Sequence, residues 1–434
     1  MVALVIALAL FFDFTNGFHD TANAMATPIA TGAIKPKTAV TLAALLNLVG
    51  AFLSTEVAKT VSGGIIREGA DGVQITPEII FAGLMGAILW NMITWLKGLP
   101  SSSSHALFGG LIGAAIAGIG FGSVNLETLL QKVILPAVFA PLIAGLVAYV
   151  CTRLAYALTS RHDPETGSKL TQKRGGFRTG QIFTSSLVAL AHGTNDAQKT
   201  MGIITLVLIA AGTQAPGTGP QFWVIAACAF AIAIGTYSGG WRIIRTMGSG
   251  LTEVKPAQGF AAETSTASAI LASSHLGFAL STTQVASGSV IGSGMGRRGT
   301  TVRWSMVGRI ALGWLFTLPA AGIVGALTAL LVNTGVVGIL IAAIAGTGAV
   351  LFMFFYSRKS AVGHHNAVEV EEAGQAVRFA KKKARAKARA DARAKASAEA
   401  KAKADAKAQP KPRTEADAAA QSDADATTPK ETQR

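Results

Sequence analysis

Charge is what this chain has least of. Only 14% of its 434 residues are Asp, Glu, Lys or Arg, while 50% are hydrophobic. A soluble protein of this length carries roughly a quarter charged residues, so a water-facing surface along the whole chain is excluded. Cysteine is almost missing as well. Cys151 and Cys228 both lie in apolar runs, with no metal-ligand spacing, and read as small buried hydrophobes. No Gly-x-Gly-Asp run occurs, which removes an intramembrane aspartyl protease. The start, Met1-Val2-Ala3-Leu4, lacks the basic leader of a secretory signal; it is expected to be half of a retained transmembrane helix. The formal charge of +15 is no argument for nucleic acid, because much of the basic content sits in the tail.

What the chain does have is long apolar runs and 48 glycines. Together these point to an all-α, polytopic membrane protein with closely packed or interrupted helices. The chain is organised around Asn16-Gly17-Phe18-His19-Asp20-Thr21-Ala22-Asn23-Ala24 and its echo, Gly193-Thr194-Asn195-Asp196-Ala197-Gln198-Lys199-Thr200. In each, an aspartate interrupts an apolar run. A carboxylate in hydrocarbon costs several kcal/mol unless paired, so it reads as functional. A second pair of motifs follows in the same order. Gly98-Leu99-Pro100-Ser101-Ser102-Ser103-Ser104-His105 matches Gly277-Phe278-Ala279-Leu280-Ser281-Thr282-Thr283-Gln284, and Gly109 and Gly113 match Gly288 and Gly292. Two motif pairs in one order and spacing predict a duplicated architecture.

The aspartate motifs are expected to break their helices, as in transporters built from discontinuous helices. The hydroxyl motifs are expected at the tips of re-entrant hairpins, with Pro100 and the serines starting a helix. Spans are expected over 38–53, 79–96, 133–157, 222–235, 259–276, 310–332 and 336–355, giving about ten to twelve membrane segments at roughly 20 residues per full crossing. The boundaries predicted are a first transmembrane repeat over 1–160, a basic central loop over 161–180, a second repeat over 181–357 and an Ala/Lys/Arg-rich tail over 358–434. The central loop is placed in the cytoplasm by its lysines and arginines. An inverted repeat with odd spans per half then puts both termini opposite that loop. The Lys-rich tail argues by charge for the cytoplasm; the loop carries more weight.

Each half offers an aspartate, amides and hydroxyls at a helix start. Helix N-termini and hydroxyl donors suit a small tetrahedral oxyanion. The aspartates either hold a cation that bridges to the anion or accept a hydrogen bond from a protonated substrate oxygen. Phosphate keeps such a proton near neutral pH and sulfate does not, which favours phosphate. The substrate-binding candidates are Asp20, Asn23, Ser102, Ser103, Ser104, Asn195, Asp196, Ser281, Thr282 and Thr283. The coupling-cation candidates are Asp20, Asp196, Glu263 and His19. For Asn23 and Asn195 the alternative is an interhelical bond; for Glu263, an internal ion pair. His19 and His105 stand between a structural bond and proton handling. His192 lies outside the shared register and reads as structural; Lys199 either snorkels or pairs with a carboxylate.

These motifs resemble those of the inorganic phosphate transporter (PiT) family, over roughly residues 1 to 355. Gly17–Asn23, with His19 before the aspartate, is similar to its bacterial low-affinity branch. The second hairpin departs from the family pattern at Ala279 and Gln284. The resemblance implies an inverted-topology repeat with broken helices and re-entrant hairpins. It also implies secondary active transport of phosphate with H⁺ or Na⁺, the phosphate moving at times as a metal complex. The chain is therefore expected to import inorganic phosphate by symport, with H⁺ favoured over Na⁺ and another oxyanion such as sulfate as the alternative substrate. No enzyme activity and no cofactor is expected. The partners expected are phosphate, the coupling ion, a divalent metal carried with phosphate, the lipid bilayer of the bacterial inner membrane and a second copy in a homodimer, with no nucleic acid.

Overall fold

A computed structural model describes residues 1–63, 66, 75–160, 176–358 and 362–363. Met1–Glu369 forms one compact unit; the second unit, Val370–Arg434, falls outside the described residues, as does most of the central basic loop. Among the described residues the structure is helical throughout, with a single isolated bridge between Ile66 and Val124.

The main helices are α1 (Val2–Ala30), α2 (Pro36–Gly50), α3 (Glu56–Gly63), α4 (Pro77–Leu96) and α5 (Ser103–Gly118). They are followed by α6 (Leu135–Ser160), α7 (Gly176–Ala210), α8 (Phe222–Ser238) and α9 (Trp241–Arg245). The chain continues through α10 (Pro256–His275), α11 (Thr282–Gly296), α12 (Trp304–Val332) and α13 (Val336–Ser357). Burial is inverted relative to a water-soluble fold. Leu142, Ile143, Leu146, Leu315, Phe316, Leu327, Ile344 and Phe352 are exposed, while Asp20, Asp196, Lys199 and Glu263 are buried. That distribution suits a hydrocarbon surround, where polar groups must find partners inside the protein.

Among the described helices, five are long and apolar enough to cross a membrane: Val2–Ala30, Pro77–Leu96, Leu126–Leu158, Trp304–Val332 and Val336–Ser357. Phe222–Ser238 with Trp241–Gly250, bent by 58°, makes a sixth if taken as one span. The expected count of ten to twelve thus includes helices that fail this test of length and apolarity. Pro36–Gly50 and Ser103–Gly118 are apolar but short. The 35-residue α7 is long enough, but the polar motif runs through it.

The expected break at the aspartate motifs is overturned. α1 passes through Asn16–Asn23, and α7 through Gly193–Thr200, as continuous α-helix. The physical reason is local satisfaction. Thr15 and Thr21 donate back to the carbonyls of Phe12 (2.7 Å) and Gly17 (2.6 Å), which an α-helix accommodates. Asp20, Asn23, Asn195, Asp196 and Lys199 find partners on other helices, so these side chains do not require the backbone to unwind. The sharp bend falls instead between α8 and α9, at Gly239 (φ +71°) and Gly240.

The hairpins form where the sequence places them, and they match. α4 ends at Gly98 (φ +64°), with Leu99 N–H on the Thr94 carbonyl at 3.0 Å. α10 ends at Gly277 (φ +68°), with Phe278 N–H on the Ser273 carbonyl at 2.9 Å. Both are glycine C-caps with the same six-to-one bond. Each chain then turns back into a short buried helix, α5 or α11.

Packing between halves is reciprocal. A Cβ on Gly17 of α1 would strike the Ile232 carbonyl of α8, and one on Gly235 of α8 would strike the Phe14 carbonyl of α1. Likewise Gly193 of α7 abuts the Asn47 carbonyl of α2, and Gly50 of α2 abuts Leu190 of α7. The hairpin helices repeat the pattern: Gly109 and Gly113 of α5 lie on α12, and Gly288 and Gly292 of α11 lie on α6. Small residues that let backbones approach this closely drive helix association where no hydrophobic force exists.

Candidate functional site

α1 and α7 carry their aspartates to one place. Asp20 and Asp196 are buried, and the His192 ring lies between them. His192 Nε2 is 3.1 Å from Asp196 Oδ2 and 3.9 Å from Asp20 Oδ2. Its other nitrogen, Nδ1, is 3.2 Å from Asn47 Oδ1, and Asn47 donates to Thr236 Oγ1 at 2.7 Å. The ligand atoms of Asp20, His192 and Asp196 all lie within 4.8 Å of one another, close enough to surround one small cation.

The hairpin tips reach this centre. Ser103 Oγ donates to Asp20 Oδ2 at 3.0 Å, and Thr282 Oγ1, its sequence counterpart, donates to Asp196 Oδ2 at 3.0 Å. Thr283 Oγ1 donates to Asp20 Oδ1 at 3.1 Å, so α11 of the second half serves both acids. Asn23 Nδ2 donates to Thr283 Oγ1 (3.1 Å) and Thr282 Oγ1 (3.3 Å). In the place equivalent to Asn23, Lys199 Nζ pairs with Asp196 Oδ1, donates to Ser104 Oγ at 2.6 Å and donates to the Leu280 carbonyl at 2.9 Å. His19 Nδ1 is 2.6 Å from Asp20 Oδ1.

This hydroxyl delivery comes from the helix starts. Ser102 is the N-cap of α5 and accepts from His105 N–H at 3.1 Å. Ser281 is the N-cap of α11 and accepts from Gln284 N–H at 3.4 Å. The caps leave the next residues, Ser103 and Ser104, or Thr282 and Thr283, on the first turn. There the orphan N–H groups create a partial positive charge. Both acids therefore meet the positive end of a helix as well as its hydroxyls.

Of the residues singled out in sequence, the structure brings Asp20, Asp196, Asn23, Ser103, Ser104, Thr282, Thr283, His19 and Lys199 into this one network. The others make their contacts elsewhere. Ser102 and Ser281 spend their oxygens on capping. Asn195 turns to α10, where Nδ2 donates to Ser274 Oγ at 3.0 Å. Glu263, also on α10, accepts from Thr27 Oγ1 (2.5 Å), Thr184 Oγ1 (2.7 Å) and Gln181 Nε2 (3.1 Å). It ties α10 to α1 and α7, and no described contact joins it to either aspartate. His192 is the member that the sequence reading left outside. It sits four residues before Asp196, as Asn16 does before Asp20, and that offset is the signal that could have found it.

Comparison with known proteins points the same way. Residues 16–325 match the model of the phosphate transporter family. A Mycobacterium bovis protein described as "Probable low-affinity inorganic phosphate transporter" is 56% identical over 334 residues, covering 77% of this chain and 78% of that protein. A Bacillus subtilis protein with the same description is 40% identical over 336 residues, covering 77% and 97%. Among solved structures, one described as "The sodium-dependent phosphate transporter" superposes with a TM-score of 0.67 at 24% identity, covering 77% of this chain and 99% of that one, which shows a shared fold. The family match takes in both aspartate motifs, both hydroxyl hairpins and the glycines on which they pack: the chain belongs to the phosphate transporter family.

Proposed function

We propose that this protein imports inorganic phosphate across the bacterial inner membrane by cation symport, with H⁺ as the coupling ion. The observation that carries the reading is the convergence of Asp20 and Asp196, one from each half, at hydroxyls from both hairpin tips. A phosphate arriving there is an acceptor with several oxygens. It competes with the carboxylates for the hydroxyl hydrogens of Ser103, Ser104, Thr282 and Thr283, for Asn23 Nδ2 and for the Lys199 ammonium. The starts of α5 and α11 add their partial positive charge. The carboxylates in turn accept from a protonated phosphate oxygen. Sulfate, lacking that proton, would leave a carboxylate facing an anion with nothing between them.

Alternating access follows if the two halves form an inverted repeat, so that one set of helices moves against the other around the shared centre. The reciprocal glycine contacts of α1 with α8 and α2 with α7 support that reading. Glu263 links the moving parts, since it accepts from both α1 and α7. Phosphate travels free or with a divalent cation as part of the cargo. Na⁺ is the alternative coupling ion, since the solved relative is described as sodium-dependent.

The test is uptake of radiolabelled phosphate into proteoliposomes. Wild type should accumulate phosphate when an inward proton gradient is imposed, sulfate should not compete, and Asp20→Asn and Asp196→Asn should each abolish uptake. Accumulation that requires Na⁺ and ignores the proton gradient would replace H⁺ with Na⁺. Equal inhibition by sulfate would replace the substrate.

A further inference from the structure

The site described above leaves one buried acid unused. Asp13 lies on α1 two turns before Asp20, on the same side of the helix. Its side chain is 0% exposed, and neither carboxyl oxygen has a hydrogen-bond partner. Two further buried oxygens beside it are unpartnered: Asn16 Oδ1, one turn along on α1, and Thr200 Oγ1 of α7, the hydroxyl that lies toward Asp13. Asp20 and Asp196, by contrast, are surrounded by donors. The molecule thus treats its intramembrane acids in two ways. Two are furnished with several donors suited to a permanent charge; the third has only the Thr200 hydroxyl turned toward it, with no bond formed.

An ionised carboxylate without donors or a counter-ion is strongly disfavoured away from water. The nearby cations are already committed. Lys199 is held by Asp196, Ser104 and the Leu280 carbonyl, and His192 lies between the two aspartates with its far nitrogen on Asn47. The groups that face Asp13 can be named element by element. α7 presents His192, Asp196, Lys199 and Thr200, α8 presents the Cys228 thiol, and α1 itself carries His19 and Asp20 further along. The buried residues of α2 and α4 include no ionisable side chain. α9 carries Arg242, which donates to the Leu96 and Ser357 carbonyls, and Arg245; α10 carries Glu263, which is held by its own three donors. Nothing in this surround supplies a positive partner for an Asp13 carboxylate. What fits a carboxyl with one hydroxyl donor, an acceptor-only amide oxygen and no counter-ion is a proton, since a carboxylic acid becomes a donor and gives Asn16 Oδ1 its missing partner while the Thr200 hydroxyl stays free to donate to the other oxygen.

We infer that Asp13 is the residue that carries the coupling proton, at a site separate from the two motif aspartates. The inference rests on the proton-coupled reading above. In the step itself, one carboxylate oxygen of Asp13 takes a proton from the side where protons are in excess. No other bond forms or breaks, and the same proton leaves to the opposite side once the protein has turned over. The link to phosphate is electrostatic. Asp13 stands about 10 Å along the helix from Asp20. An ionised Asp13 would add a third negative charge near a centre that must hold an anion. Neutralising it favours phosphate by about tenfold at that distance and an effective dielectric of about 20. Proton and phosphate would then load together.

Two assays on reconstituted full-length protein separate the roles. Accumulation driven by a pH gradient needs the proton carrier; one-for-one phosphate exchange at equal pH does not. Asp13→Asn copies the neutral acid without its titration. It should keep exchange within about threefold of wild type but lose gradient-driven accumulation by at least about tenfold, while Asp13→Glu keeps both. Asp13→Asn that still accumulates phosphate down a proton gradient would overturn the assignment. So would loss of exchange in Asp13→Asn, since it would mark Asp13 as a packing or substrate residue. If wild type itself shows no gradient-driven accumulation, the proton-coupled reading fails first, and that failure is visible without any variant.

Discussion

Asn23 and Lys199 occupy matching places in the two halves, three residues after Asp20 and Asp196, and they perform the matching task with different chemistry. Each reaches a hydroxyl on the opposite hairpin: Asn23 donates to Thr283, Lys199 to Ser104, and Thr283 and Ser104 are themselves counterparts. The amide is neutral and the ammonium is charged. The second aspartate therefore has a tethered counter-ion that the first lacks. Asp20 relies instead on His19, Ser103 and Thr283. The two motifs place matching contacts while their charge balance is divided unequally.

The largest effect that would sharpen this comparison is on folding. Asp196→Asn leaves the Lys199 ammonium buried without its carboxylate, and breaking such a pair costs about 3–5 kcal/mol. Asp20→Asn orphans no lysine and should cost clearly less. Thermal unfolding of the two purified variants in detergent would test this; equal losses would mean that Lys199 is not the asymmetric element. Next comes Lys199→Asn, which writes the first half's residue into the second. It removes an ammonium with three partners and should lower phosphate uptake by about tenfold or more, on the order of 1.4 kcal/mol. Lys199→Arg should not restore it, because a planar fork does not replace a compact ammonium. Uptake at wild-type rate in Lys199→Asn would erase the distinction between the halves.

Smaller effects test the likeness rather than the difference. Gly17→Ala and Gly193→Ala each push a methyl into a partner helix's carbonyl, Ile232 in one case and Asn47 in the other. Each should destabilise by about 1–3 kcal/mol, and the two losses should be similar, as read from unfolding temperatures. The smallest change is expected from Gly98→Ala and Gly277→Ala. A Cβ at Gly98 meets nothing nearer than 3.6 Å, and one at Gly277 meets the Thr60 hydroxyl at 3.2 Å, a tight contact that this side chain has to relieve by a shift of a few tenths of an ångström. What remains is the positive φ, about 1–2 kcal/mol for an alanine. A much larger loss at one hairpin would show that its turn does more than reverse the chain.

The repeat was legible because its carriers are rare residues in an apolar background. An aspartate, a run of serines and paired glycines stand out against Leu, Ile and Ala, and their order recurs. The hairpin turns were equally plain, since Gly98 and Gly277 precede hydroxyl clusters that make good N-caps. The expected helix breaks were wrong because a polar motif was read as a backbone event. Thr15 and Thr21 bond back to their own helix, and Asp20 and Asn23 are met from outside it. His192 was set aside because it lies outside the register that the two aspartate motifs share. Asp13 escaped notice since it has no echo; the equivalent position seven residues before Asp196 is Ala189.

Sequence alone pointed to a membrane protein, to two pairs of polar motifs recurring in one order and to the aspartate within each of the first pair. It could do so because hydrocarbon penalises every polar residue, so those that remain are conspicuous one by one. Only the tertiary structure decided which of them meet. The pairing of Lys199 with Asp196, the place of His192 between both acids and the isolation of Asp13 depend on how α1, α7 and the hairpin helices pack. Contacts between residues up to 263 positions apart have no local signature in a linear chain.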